Sequence, residues 1–216
     1  MSPKVYKNHL NALPGPDDIT RVVLPNGITI LTRSNFNSPT LSIKGYLASG
    51  SIFDPVEKLG LSYLTAHGLL NGTQRYDFQS LYNEIESVGA RLSFSSGTLT
   101  TSFSAHCLSE DLSLMMGLIA DSLRTPTFPQ REFQRQKTQL LTGLAIRAQD
   151  TSAMASLMFD QMIFAGHPYQ HPDEGYPETV QALTNADIID FYQRTFGPKG
   201  MVIVAVGAVD PEDVIE

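Results

Sequence analysis

The 216-residue sequence has a single cysteine, Cys107, and no run of 18 apolar residues. One cysteine cannot form an internal disulfide or build a structural zinc site by itself, so the fold has to depend on its core. The longest apolar stretches, such as residues 201–206, suit a buried strand and are too short to cross a hydrocarbon core. A membrane span is therefore excluded. A single cysteine does not show whether the protein works in an oxidising or a reducing compartment.

Basic residues are also few, with 15 Lys and Arg against 22 Asp and Glu and a formal net charge of −7. Because binding to a phosphate backbone needs a surplus of positive charge, nucleic acid is not an expected partner. Residues 1–10 contain no apolar segment of the kind that a secretory signal needs, so no signal peptide is expected in this sequence and the localisation is unknown. With 42% apolar residues, the chain is expected to be a soluble globular domain.

Several common catalytic signatures are missing, including G-x-S-x-G, G-x-G-x-x-G and a Walker-type loop. His167 and His171 have the spacing of a helical metal site, but a proline follows each of them, so a loop-structuring role is favoured. His106 and Cys107 are neighbours on a predicted strand and should point to opposite faces of the sheet. Acidic pairs such as residues 173 and 174 are expected to be solvated surface.

Apolar periodicity predicts an α+β fold. Strand-like runs cover residues 19–24 and 28–33 around Asn26-Gly27, then 41–48, the hairpin 91–96 and 99–107, and a closing strand 201–207. Helical spacing covers residues 59–70, 78–88, 112–123, 130–147, 152–164, 178–183 and 185–196. Antiparallel strands with helices in separate runs predict a mostly antiparallel sheet with helices packed on one face. A helix start at Asp210-Pro211, about one turn before the last residue, leads us to expect a piece of a longer protein.

Residues 60–67, Gly-Leu-Ser-Tyr-Leu-Thr-Ala-His, resemble the zinc-binding helix of the pitrilysin and mitochondrial processing peptidase family. That family carries H-x-x-E-H there, in which the two histidines share a helix face and bind zinc while the glutamate activates the metal-bound water. The resemblance also implies a second glutamate, about 76 residues after the second histidine, which is the third protein ligand of the zinc.

Further segments resemble the same family in the same order. They are Leu-Pro-Asn-Gly at 24–27, Gly-Ser-Ile-Phe-Asp at 50–54, Asn-Gly-Thr at 71–73, Ile-Glu-Ser-Val-Gly-Ala at 85–90, Gly-His-Pro-Tyr at 166–169, and residues 198–211. The resemblance therefore covers nearly the whole chain. It implies that residues 1–216 form a single processing-peptidase-like domain, the N-terminal half of a longer two-domain protein.

The residues that carry the family's chemistry differ in this sequence. Tyr63 stands at the first histidine, Ala66 at the glutamate and Gly143 at the second glutamate, and only His67 is retained. A phenol with a pKa near 10 is a poor zinc ligand, and alanine and glycine offer no donor. We therefore expect no catalytic residue, no zinc and no peptide hydrolysis, with His67 a hydrogen-bonded histidine of the core or cleft.

The resemblance also bears on peptide binding. The family's L-N-A strand is an edge to which an extended peptide adds by main-chain hydrogen bonds, and the matching residues here are Leu92, Ser93 and Phe94. The backbone edge is expected to persist, with Phe94 in place of alanine narrowing the cleft.

The resulting hypothesis is a non-catalytic member of the family that partners a homologous zinc-bearing peptidase subunit and helps to enclose or bind peptide. Two alternatives stay open. One is a structural scaffold similar to the core proteins of the cytochrome bc1 complex. The other is a peptidase with non-standard metal ligands, for instance His67 with His167 or His171.

Overall fold

The computed structural model describes residues 15–215, which form one six-stranded sheet and eight α-helices. Residues 1–10, in which no signal peptide is expected, lie outside the described part. The strands are β1 (Thr20–Val23), β2 (Thr29–Ser34), β3 (Thr40–Leu47), β4 (Arg91–Ser96), β5 (Thr101–Leu108) and β6 (Val202–Gly207). The helices are α1 (Leu61–Gly68), α2 (Phe78–Ser87), α3 (Leu112–Arg124), α4 (Gln130–Arg147), α5 (Thr151–Ile163), α6 (Pro177–Ala182), α7 (Asn185–Thr195) and α8 (Pro211–Ile215).

The strand order in the sheet is β1-β2-β6-β3-β5-β4. The pair β2 and β6 is parallel, and the other neighbouring pairs are antiparallel. The predicted Asn26-Gly27 turn joins β1 to β2, with Gly27 at φ 90° and the Asn26 side chain accepting from the Ile28 amide. The mostly antiparallel α+β fold is therefore confirmed.

Helices cover one face of the sheet. Along β3, Leu41, Ile43 and Leu47 are buried while Lys44 and Tyr46 are exposed, the alternation of a strand with one face on a core. Both α1 and α3 pack against this buried face, on β4 and β5 respectively. On β5, Cys107 is buried and His106 is exposed, as their adjacent positions predict.

Strand β4 lies at one edge of the sheet within residues 15–215, as the family resemblance implies. The expectation that Phe94 narrows a cleft is wrong. Phe94 is 5% exposed and packs in the core, with its ring centroid 5.8 Å from that of Phe103. Leu92 is buried on the same face, and Ser93 is exposed on the other. Side chains alternate along a strand, so residues 92 and 94 both face the core.

Helix α1 starts later than the apolar spacing from residue 59 suggests. Gly60 has φ 94°, a left-handed conformation, so the helix begins only at Leu61. The start of α2 agrees with the prediction. The Asp77 carboxylate accepts a hydrogen bond from the Ser80 amide at 2.8 Å and so caps this helix. Within residues 15–215, no helix combines the length and apolar character that a membrane crossing requires.

Candidate functional site

The start of α1 is held by a carboxylate. Asp54 accepts hydrogen bonds from the Gly60 amide at 3.0 Å, the Ser62 amide at 3.0 Å and the Ser62 hydroxyl at 3.2 Å. Burial raises the pKa of Asp54 to about 7, although these hydrogen bonds act to lower it. The site-bearing helix is thus anchored by a group whose charge changes near neutral pH.

Gly60 also fixes the loop that follows α5. A Cβ at position 60 would lie 2.6 Å from the Glu174 carbonyl oxygen, and one at Gly175 would lie 2.2 Å from the Leu59 carbonyl oxygen. The two backbones therefore approach so closely that only glycine fits. This contact brings Glu174 to the side of α1.

A cleft of about 350 Å³ lies between α1 and α4. Its lining residues are Tyr63, Leu64, His67, Gln136, Gln139, Leu140, Gly143, Leu144, Arg147 and Glu174. The structure thus brings together Tyr63, His67 and Gly143, three of the four positions at which the resemblance puts the family's metal motif. The fourth, Ala66, is fully buried and is not part of the lining.

His67 is half-buried in this cleft and is hydrogen bonded within its own helix. Its Nδ1 lies 2.8 Å from the Tyr63 carbonyl oxygen, and its ring stacks on the Tyr63 ring with centroids 4.0 Å apart. A carbonyl only accepts, so Nδ1 is the donor. The phenol of Tyr63 has its pKa raised, first by burial and then by the charge of Glu174, so it stays protonated at neutral pH.

Gln136 connects the two helices across the cleft. Its Nε2 donates to the His67 carbonyl oxygen at 2.5 Å and lies 3.4 Å from Asn71 Oδ1. Its Oε1 is buried and has no hydrogen-bond partner among residues 15–215. This amide therefore sets the spacing of α1 and α4 and leaves one acceptor unused.

An ion pair stands beside Gly143. Arg147 Nη1 lies 3.0 Å from Glu174 Oε2, and Arg147 Nη2 lies 3.4 Å from the Gly175 carbonyl oxygen. The expectation that residues 173 and 174 are plain solvated surface is wrong for Asp173, whereas Glu174 is 40% exposed and is also held in an ion pair. Asp173 accepts from the Ser51 hydroxyl, and Glu174 is the cleft's acidic group.

Sequence reasoning missed Gln136, Arg147 and Glu174. The signal for Arg147 was present, because it follows Gly143 by one helical turn and so shares its face. Glu174 gave no such signal, since a tertiary contact of two glycines places it.

The donors present do not fit the zinc that the family resemblance implies. Catalytic zinc takes about three protein ligands. Here Ala66 and Gly143 have no donor and the Tyr63 phenol is protonated. The cleft is left with the His67 imidazole and the Glu174 carboxylate, which is already paired with Arg147. In the part of the chain that the structure describes, no group of three or more His, Cys, Asp or Glu side chains is placed to hold a metal ion.

The other two candidate histidines have structural partners. His167 Nδ1 accepts from the Tyr169 amide at 3.2 Å, at the start of a 3-10 turn over Pro168–Gln170. His171 Nδ1 lies 3.2 Å from the Tyr176 hydroxyl. Neither lines the cleft that holds His67.

The chain is similar to known peptidases and their relatives. A profile of the insulinase family, peptidase family M16, matches residues 29–171. The chain is 26% identical over 213 residues to the probable mitochondrial-processing peptidase subunit beta of Arabidopsis thaliana, covering 98% of this chain and 40% of that protein. It is 25% identical over 197 residues to the cytochrome b-c1 complex subunit 1 of Rattus norvegicus, covering 90% and 40%.

Among solved structures, an inactive peptidase M16 domain from Pseudomonas fluorescens matches with a TM-score of 0.85 and 24% identity, covering 90% of this chain and 48% of that one. This likeness shows the same fold. The chain spans less than half the length of each of these relatives.

Proposed function

The chain belongs to the insulinase family of peptidases, family M16, and from this we propose that it is a non-catalytic subunit that pairs with a zinc-bearing homologue and helps to enclose peptide. One observation carries the proposal. The cleft between α1 and α4 is lined by Tyr63, His67 and Gly143, three positions at which the resemblance puts metal ligands, and Tyr63 and Gly143 are poor or absent donors.

The contacts that fix the helices around the cleft support a role in binding peptide and not in hydrolysing it. Asp54 anchors α1, Gln136 joins α1 to α4, and Arg147 pairs with Glu174 at the rim. These contacts hold the helices of the cleft in place although the motif positions lack zinc donors, which supports a binding role. Removing a general base alone costs a factor of about 10² to 10⁴, and no water is activated without the metal.

Elemental analysis after dialysis tests the loss of the metal site. We expect far less than one zinc per chain. Close to one zinc per chain, lost in His67→Ala, would overturn the proposal. His167→Ala and His171→Ala test the alternative that these side chains complete an unusual site with His67, and loss of zinc in either would favour that alternative.

A peptidase assay tests the partner role. A quenched peptide is incubated with this chain, with a family M16 subunit that has an intact H-x-x-E-H motif from the same organism, and with both together. We expect no cleavage by this chain alone and a changed rate or peptide preference in the mixture. An unchanged rate and preference, with no complex formed, would contradict the partner role.

A structural scaffold is the second candidate, and the similarity to the rat cytochrome b-c1 complex subunit 1 favours it. Purification of the native protein separates the two. A scaffold would co-purify with a membrane complex and leave the zinc-bearing homologue unaffected, whereas a peptidase subunit would co-purify with that homologue.

A further inference from the structure

The strands of the sheet carry charge of one sign only. Within residues 15–215, none of the six strands contains Asp or Glu, although the whole chain has 22 of these residues and a formal net charge of −7. The charged residues of the strands are Arg21, Arg33, Lys44 and Arg91, and His106 adds an imidazole. The sheet is therefore a basic part of an acidic molecule.

The face opposite the helices carries all of these side chains, and we call it the open face. In β4, Leu92 and Phe94 are buried in the core, so Arg91 points to the open face. His106 pairs with Arg91 across β4 and β5 and is exposed on the same face. Burial alternation and strand register place the other three charged residues on this face too.

Arg91 has no carboxylate partner within residues 15–215. It is exposed, and the ion pairs of the described residues include neither Arg91 nor its paired neighbour His106. The guanidinium can therefore bind an external carboxylate without giving up an existing ion pair. Arginine binds a carboxylate through two parallel hydrogen bonds, which makes the contact both stronger and more specific than a single charge pair.

The open face is concave beside Arg91. One hollow of about 610 Å³ has a lining that includes Arg91, His106 and Ser42, and a neighbouring hollow of about 490 Å³ has a lining that includes Lys44 and Ser93. Neither lining contains Asp or Glu. Cations and hydroxyl donors without a competing acidic group suit a carboxylate ligand.

Arg91 also lies on a strand to which a peptide can add. Strand β4 has a neighbour on one side only within residues 15–215, so its outer main-chain groups can pair with an extended peptide. The peptide residue that pairs with Arg91 would point to the open face, with its Cβ about 5 Å from that of Arg91. At this separation an aspartate or glutamate carboxylate reaches the guanidinium, whereas a lysine or arginine is repelled.

Net charge favours a peptide over a nucleic acid or another extended polyanion as the ligand. A polyanion long enough to leave the sheet would meet the acidic remainder of a chain that carries −7. A peptide places one or a few carboxylates on the basic face and satisfies its other polar groups by main-chain pairing with β4.

We propose that Arg91 makes the edge of β4 select peptides that have an acidic residue at the position paired with Arg91. Lys44 and His106 add donors on the same face. This inference rests on the proposed function, because it names the class of peptide that the chain would help to enclose. The preference should depend on Arg91 and not on Arg21, which lies on the open face at the opposite edge of the sheet, in β1.

The test measures peptide binding to three forms of the whole chain by fluorescence anisotropy at low salt. The forms are the original chain, Arg91→Gln and the matched control Arg21→Gln, which makes the same substitution at another exposed position of the open face. Three labelled peptides of about six residues carry Glu, Gln or Lys at alternate positions and are otherwise identical. A short single-stranded DNA is the probe for polyanion binding.

We expect the original chain to bind the Glu peptide about two- to fivefold more tightly than the Gln peptide, and the Lys peptide most weakly. Arg91→Gln should abolish this preference and Arg21→Gln should keep it. The preference should also shrink at about 0.5 M salt, because an exposed ion pair is screened.

Two results would overturn the inference and leave the proposed function standing. One is equal binding of the three peptides to the original chain, and the other is a preference that survives in Arg91→Gln or is lost equally in Arg21→Gln. DNA binding that Arg91→Gln abolishes would assign the open face to a polyanion and overturn the inference as well. If the original chain binds none of the peptides, the inference fails together with the peptide-binding part of the proposed function.

Discussion

Gly143 is a glycine inside a helix, at a position where the family resemblance puts a metal ligand. It lies inside α4, and no neighbouring atom comes within 4 Å of the place where a Cβ would be. Glycine within a helix costs about 0.5–1 kcal/mol relative to alanine. We predict that Gly143→Ala raises the free energy of unfolding by about that amount, measured by urea denaturation.

Gly68 at the end of α1 provides the contrast. A Cβ there would lie 2.9 Å from the Phe128 ring, so Gly68→Ala should lower the free energy of unfolding. If both alanine variants changed stability in the same direction, the open space beside Gly143 would not be the reason for its behaviour.

Asp54 should make stability depend on pH. Its pKa of about 7 lies above the ordinary value of 3.8, so the folded state binds a proton more tightly than the unfolded state. The contribution of Asp54 to stability is then largest near pH 4 and falls as the pH rises to about 7. We predict that Asp54→Ala costs roughly 1–3 kcal/mol at pH 5, since two amides and a hydroxyl lose their acceptor, and that the cost is smaller at pH 8.

Asp77, which caps α2, is the control for this pH dependence. Its hydrogen bond to the Ser80 amide lowers its pKa, so its contribution is present above the ordinary value and is lost only at more acidic pH. The stability difference between the original chain and Asp77→Ala should therefore be flat from pH 5 to 8. A flat difference for Asp54→Ala as well would show that Asp54 does not titrate in that range.

At the scale of elements, the sequence predicts helices better than it predicts what they face. Helix α4 has the predicted bounds, Gln130 to Arg147, because its periodicity is local. The side of the sheet that Phe94 faces also follows from a local pattern, because Leu92 and Phe94 alternate with Ser93 and Ser95. Glu174 reaches the cleft through the close approach of Gly60 and Gly175, a contact between segments more than a hundred residues apart.

The pairing of α1 with α4 predicts that a metal site can be rebuilt. Tyr63→His and Gly143→Glu, together with His67, would supply three ligands from two helices that already share a cleft. The open space beside Gly143 leaves room for the added side chain. We predict close to one zinc per chain in the double variant and far less in either single variant, by elemental analysis after dialysis.

The folded state of each variant is checked by circular dichroism. A double variant that folds normally and holds no zinc would contradict the residue-by-residue correspondence with the family's motif.

Helix α5 should be the least protected long helix of the isolated chain. It has no buried residue, whereas α3, also 13 residues long, has five. Local opening is easiest where few apolar contacts are lost. We predict that amides of α5 exchange with deuterium well before those of α3 in the isolated chain. Equal protection of the two helices would mean that α5 is held by more than its three half-buried residues, Ala153, Leu157 and Gln161.

At the scale of the whole molecule, the helices leave two parts of the sheet open. The face that carries Lys44, Tyr46 and Ser93 is not covered by helices, and β4 has a neighbour on one side only within residues 15–215. An edge strand presents unpaired amide and carbonyl groups. Leu92 and Phe94 pack in the core, and β4 pairs with β5 from Arg91 to Ser96, so the outer edge of β4 has a defined register.

The open edge of β4 predicts that an extended peptide adds to this strand through main-chain hydrogen bonds. A labelled peptide of about six residues should bind, and the same peptide with alternate backbone nitrogens methylated should bind at least about tenfold more weakly, because it lacks the donors that strand addition uses. Fluorescence anisotropy measures both affinities, and hydrogen exchange with the peptide bound should show new protection in β4 and none in β1, the strand at the opposite edge. Equal affinity of the two peptides, or protection confined to β1, would contradict addition at β4. Strand addition does not use the exposed side chain of Ser93. The Ser93→Ala variant should therefore bind the peptide as tightly as the original chain does. This result would separate recognition by the backbone from recognition by side chains.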